Sequence, residues 1–324
     1  MKVLFKLFLL FCLSVFSNTC FSQKIIEQYD DIKNDSLRIG KGDNDFLPLI
    51  QSGFTLMLPK NNIEGVLVFL EDSGFDKKNN NAKPLYQQAQ KIGFAVLSVS
   101  TELPFDFYFS KTSISTAHKL IHEAFIKYNL PNRNIFFLGA SLVGHRALKY
   151  IEFMSRNSDE FQLNITGIVI CNFTLDWTRK WYQHERDIKI NRINLWEPTF
   201  MNYMLEKHLK GTPKTVPEHY HNFSTYSYFD KTNRNINTYK NFAVRAYIEP
   251  AIQYRLKKQF RTMYENSATD IVGFLAELAL LGNENTELIV IQPKNDSSQK
   301  NAQATWNAID KNELVKWMQQ QTEK

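Results

Sequence analysis

Residues 134–150 read NIFFLGASLVGHRALKY, and the fold turns on them. The apolar run IFFL (135–138) suits a buried strand, Gly139-Ala140-Ser141 makes a turn, and LVGHRALKY continues with helical periodicity. A strand that turns sharply through a serine into a helix lifts the hydroxyl above the end of a sheet. Small residues two before and two after the serine normally let the neighbouring backbones close together. Gly139 fills the first place, but Val143 fills the second, where a β-branched side chain must find room usually left to a hydrogen.

Outward from this turn, β-rich runs alternate with helical patterns. Strands are expected at 65–70 (GVLVFL), 94–99, 135–138, 167–171 (GIVIC), 242–248 and 287–291, with an antiparallel edge pair at 53–58 and upstream. Helices are expected at 82–91, 113–128, 142–154, 261–281 in one or two pieces, and 312–320. Asp310 with Glu313 three residues on would cap the last, and Gly282 would stop the one before it. The alternation predicts an α/β fold: a mostly parallel central sheet of about eight strands with helices on both faces. Segment 177–240 interrupts it with a polar-aromatic run holding Trp177, Trp181, Trp196 and four of the seven histidines. It reads as an irregular cap or lid inserted into a single domain spanning 23–324; the alternative is a helical excursion that covers the sheet. Low complexity is limited to the short NNN tract at 79–81.

Residues 1–22 read as a secretory leader cut after Ser22, which puts the mature chain in the periplasm, on the cell surface or outside. The leader's apolar core falls short of the roughly 20 residues of a membrane span. Lys2 and Lys6 leave with it and no acid does, so the formal charge of +6 falls by two. The remaining basicity is dispersed, without like-charge blocks or interleaved aromatics, which excludes a nucleic-acid surface. Cys12 and Cys20 also leave, so Cys171 stands alone as a small buried hydrophobe and no internal disulfide is expected.

Gly139, Ser141, Val143 and Gly144, followed by Ala147-Leu148-Lys149-Tyr150, resemble the α/β-hydrolase superfamily and, more narrowly, its exported bacterial esterase-like members, whose turn runs G-x-S-x-G-G before a helix ending A-L-K-Y. The resemblance implies Ser141 as nucleophile. It implies an oxyanion site made by the Leu142 N–H and one from the loop Glu71-Asp72-Ser73-Gly74, where two carboxylates oppose a developing negative charge. It also implies an acid and then a histidine later in the chain. No histidine follows His221. The relatives' E-P-D is met here by Glu249-Pro250-Ala251 and their H-S-W by Ala304-Thr305-Trp306, so Val143, Ala251 and Ala304 mark degenerate positions.

Substitutes for the missing groups are few. Asp176, just after GIVIC, stands where some hydrolases keep their acid, but it also suits a cap before Trp177. His145 shares a helix with Ser141, and His219 and His221 could reach the site from the insertion. The spacings His118/His122 and His219/His221 would suit a pair of metal ligands but lack a third, and no Gly-rich phosphate loop is present, so neither metal nor nucleotide cofactor is implied. The leading expectation is an exported hydrolase-fold protein whose triad has decayed, binding an unidentified ligand or protein partner through the aromatic insertion. The alternative is an active serine esterase or acyl hydrolase with an unconventional base. A non-catalytic component of a cell-surface assembly stays open.

Overall fold

Every residue of Gly65–Glu71, Phe94–Ser100 and Ile135–Ala140 is buried, which requires strands covered on both faces. The computed structural model describes residues 24–31, 51–71, 80–101, 111–157, 161–191, 195–232, 234–292 and 302–323. The expected leader, residues 72–74 of the expected oxyanion loop and residues 293–301 after the last strand lie outside them.

The strands are β1 (Lys24–Asp31), β2 (Gln51–Leu58), β3 (Gly65–Glu71), β4 (Phe94–Ser100), β5 (Ile135–Ala140), β6 (Ile165–Cys171), β7 (Ala243–Ile248) and β8 (Thr286–Val290). They form one sheet in the order β1-β2-β4-β3-β5-β6-β7-β8. β2 runs antiparallel to β1 and β4, and the other pairs are parallel. The expected class, edge pair and strand positions agree with this sheet.

Helices cover both faces. They are α1 (Tyr86–Lys91), α2 (Lys111–Lys127), α3 (Leu142–Arg156), α4 (Trp177–Ile190), α5 (Trp196–Leu209), α6 (Pro217–Phe223), α7 (Ile252–Gln259), α8 (Ser267–Leu280), α9 (Ala302–Ala308) and α10 (Lys311–Thr322). The alternation along β5 divides the core: Ile135 and Phe137 face α2, α3, the insertion helices and α8, whereas Phe136 and Leu138 face α1, α9 and α10. Burying each such side chain contributes roughly 1.5–3 kcal/mol. Asp310 caps α10 by accepting from Asn312 N and Glu313 N, and Gly282, at φ +82°, follows the end of α8, both as expected.

Two expectations need correction. Segment 177–240 is not irregular; it holds α4, α5 and α6, packed on the α3 face through Trp177, Trp181, Leu205, Tyr220 and Phe223. Its periodicity was masked because α4 also buries Arg179, Gln183, His184 and Asp187, so polar and apolar residues share the inner side. The helix expected at 261–281 in one or two pieces is the single α8, which starts only at Ser267 with Asn266 capping it at Ala268 N, and α7, which ends before Phe260 at φ 54°, was not expected. Of the NNN tract, Asn80 and Asn81 fall among the described residues, and both are buried.

Candidate active site

The chain passes from β3 to β4 on one side of the sheet and from β5 to β6 on the other, so the crevice at the carboxyl ends of β3 and β5 is a topological switch point, where open α/β sheets bind ligands. Ser141 stands there with an exposed side chain, φ 54° and ψ −131°, a backbone state otherwise nearly confined to glycine. Three bonds hold the turn: Ser141 N–H donates to Cys171 O at 3.1 Å, His145 N–H donates to Ser141 O at 3.2 Å, and Ala140 N–H donates to Asn81 Oδ1 at 3.1 Å. Leu142 opens α3 directly after the serine.

Val143 is accommodated because the close approach has moved one residue along. A Cβ on Gly139 would lie 2.6 Å from both Gly144 N and Val143 Cγ1, and a Cβ on Gly144 would lie 2.8 Å from Gly139 O. Gly144 supplies the smallness expected at 143, while the Val143 side chain fills the space over Gly139 and packs into the α1/α10 core.

Glu71, at the end of β3, does not add an open charge. Its carboxylate is buried and accepts from Asn81 N (2.6 Å), Asn81 Nδ2 (3.3 Å) and Ala82 N (3.2 Å). Ala251 is the third residue after β7, buried at φ 44°, and Ala304 lies half-buried in α9.

All seven histidines fall among the described residues, and no hydrogen bond joins any of them to Ser141 Oγ. His145 is buried and its Nε2 accepts from Trp177 Nε1 at 3.0 Å; burial, then Lys149 and Arg146, hold it well below the usual imidazole range. His184 bonds Asn202 at 2.9 Å, and burial pushes it down to about 2. His118 meets Tyr150 OH at 3.0 Å and His122 stacks on Phe161, so that pair is spent on packing. His219 Nδ1 donates to Leu209 O at 2.6 Å, and His221 faces Glu218.

Asp176 is a helix cap with two fixed tasks. One carboxylate oxygen accepts from Arg179 N and the other from Tyr228 N, each at 2.9 Å. Burial and the neighbouring Asp270 raise it to about 6. Arg179 is chelated by Asp270, which also accepts from the N–H groups of Leu175 and Asp176.

No family model and no curated protein matches the sequence. Solved structures do. The uncomplexed acylaminoacyl peptidase of Pyrococcus horikoshii superposes with a TM-score of 0.55 at 12% identity, over 94% of this chain and 43% of that one. An esterase of Pyrococcus furiosus gives 0.52 at 13% identity over 93% and 92%, and carboxyl esterase 2 of the mycorrhizal fungus Tuber melanosporum gives 0.52 at 12% over 93% and 87%. The chain has the α/β-hydrolase fold. It spans less than half the length of the peptidase.

Where this fold would gather its acid and base, sequence reasoning missed a polar cluster. Asn172 directly follows β6 at φ 44°, a conformation asparagine tolerates. Its Nδ2 donates to Thr305 Oγ1 at 2.6 Å, and its Oδ1 accepts from Glu249 N at 3.0 Å. Thr305 Oγ1 in turn donates to Glu249 Oε2 at 3.3 Å, while buried Glu249 Oε1 has no hydrogen-bond partner. These contacts tie the ends of β6 and β7 to α9 beside the elbow. The signal was present in Asn172 and Glu249, polar residues immediately after two apolar strands, but only tertiary pairing shows what they join.

Proposed function

We propose that this is an exported α/β-hydrolase-fold protein that binds a ligand or partner without cleaving it, the serine elbow being retained and the acid and base lost. One observation carries the reading: Ser141 Oγ has no hydrogen-bond partner among the described residues, and no hydrogen bond brings any histidine to it. A serine hydroxyl without an adjacent base is a weak nucleophile at neutral pH. The positions after β7 and in α9 where the resemblance implies acid and base hold Ala251 and Ala304.

The helices α4 to α6 serve as the cap, and their aromatic surface as the recognition face. Trp196 and Phe200 stack with centroids 5.2 Å apart and planes 8° from parallel, and with Leu195, Thr199 and Tyr203 they line an open, shallow face of α5. Exposed aromatic rings offer contact area at small entropic cost.

The strained serine favours a second reading, an active esterase with an unconventional base, because strain of this kind concentrates at working sites. Hydrolysis of a short-chain p-nitrophenyl ester by the purified full chain separates the two. Binding without cleavage gives a rate that Ser141→Ala leaves unchanged; an active esterase gives a rate that Ser141→Ala abolishes.

A further inference from the structure

α7 exposes its two aliphatic side chains together with Gln253, Lys257 and Lys258, and half-buries Tyr254, Arg255 and Gln259. None of its residues is buried, and its leucine and isoleucine are more exposed than its arginine: Leu256 is 54% and Ile252 50% exposed, whereas Arg255 is only partly so. The helix is held by polar contacts. Arg255 Nε donates to Pro250 O at 3.2 Å and its Nη1 to Gln259 Oε1 at 3.3 Å. Just beyond the helix, Arg186 Nη1 donates to Phe260 O at 2.6 Å and Arg261 pairs with Asp187. These anchors fix the helix with Ile252 and Leu256, four residues apart, on one outward stripe that Phe260 and Met263 extend at 42% and 44% exposure. An ordinary surface helix does the reverse.

The charged side chains that the segment itself carries are all of one sign, and the neighbouring carboxylates of Asp187 and Glu265 are paired with Arg261 and Arg186. Residues 250–264 contain Arg255, Lys257, Lys258 and Arg261 and no acid. Arg261 is paired, but Lys257 and Lys258 are exposed and in no ion pair among the described residues. Apolar side chains flanked by uncompensated lysines on a short surface helix match the chemistry of an anionic lipid interface. A second copy fits poorly, because a twofold contact lays this patch on itself and sets lysine against lysine. Among the described residues no helix is long and apolar enough to cross a membrane.

We propose that α7 and the turn after it dock the protein on an anionic lipid bilayer. The test is cosedimentation of the full chain with vesicles of mixed phosphatidylglycerol and phosphatidylcholine, against vesicles of phosphatidylcholine alone, at low and high salt. The expected result is preference for the anionic vesicles that weakens with salt. Lys257→Glu with Lys258→Glu lowers partitioning by about 100-fold, and Leu256→Gln lowers it about 10-fold. Trp196→Ala, on the other exposed aromatic surface, leaves it unchanged. All four positions are exposed, and unaltered thermal unfolding verifies that each variant is folded. Equal partitioning of the wild type and both α7 variants would overturn the proposal. So would self-association abolished by Leu256→Gln, which assigns the stripe to a second copy.

Discussion

Trp177 Nε1 donates to His145 Nε2 at 3.0 Å, and this bond commits the imidazole closest in sequence to the elbow serine. With Nε2 accepting, the ring is neutral and its proton sits on Nδ1. The pair also joins α3 to the first turn of α4, the ring centroids lying 5.1 Å apart. Trp177→Phe keeps most of the packing and removes the donor, leaving buried Nε2 unsatisfied. The expected loss is about 1–3 kcal/mol of unfolding free energy, measured in urea.

Stability should fall on acidification, and His184 provides a clean probe. Its folded value is about 2 against an ordinary 6.5, so between these limits the unfolded chain holds a proton that the folded chain lacks. The wild type therefore loses about 1.4 kcal/mol for each pH unit below 6.5 through this group. Asp176 acts oppositely: raised from 3.8 to about 6, it contributes stability that is full below 3.8 and lost as pH rises through 6. Comparing His184→Gln with wild type cancels Asp176. The expected outcome is a wild-type advantage at pH above 7 that shrinks steadily toward pH 5.

The backbone at Ser141 is strained for any residue with a Cβ. Ser141→Gly relieves strain of about 1–3 kcal/mol, and the added freedom of the unfolded chain returns up to about 1 kcal/mol of it. A rise in the urea midpoint equivalent to about 1 kcal/mol is expected, with no such rise for Ser141→Ala.

Val143→Gly makes the sequence look more like a working elbow and should make the protein worse. Val143 is a buried part of the α1/α10 core, and the close approach it seemed to obstruct is already supplied by Gly144. Deleting the side chain and adding a helical glycine together cost about 3 kcal/mol, read from the unfolding midpoint. A neutral or stabilising effect would show that the turn tolerates Val143 only under strain.

Much of the sheet was legible because its strands are uninterrupted apolar runs, and Gly139-Ala140-Ser141 was legible because few contexts put a serine between such a run and a helix. The caps at Asp310 and the stop at Gly282 were readable for the same local reason. The insertion was not, since Arg179, Gln183 and Asp187 occupy the inner side of α4 and find their partners in one another and in Asp270 and Arg261, far along the chain. Val143 misled because local spacing located the needed small residue one place early. The Asn172–Thr305–Glu249 cluster joins residues up to 133 positions apart, beyond any local pattern.

The most direct measurement is labelling of the purified full chain with a fluorophosphonate, read by intact mass and peptide mapping. With no imidazole to take its proton, Ser141 should stay unmodified while a conventional serine esterase run in parallel reacts to completion. One phosphonyl group per chain on Ser141, absent from Ser141→Ala, would contradict the account and place a working base at the elbow.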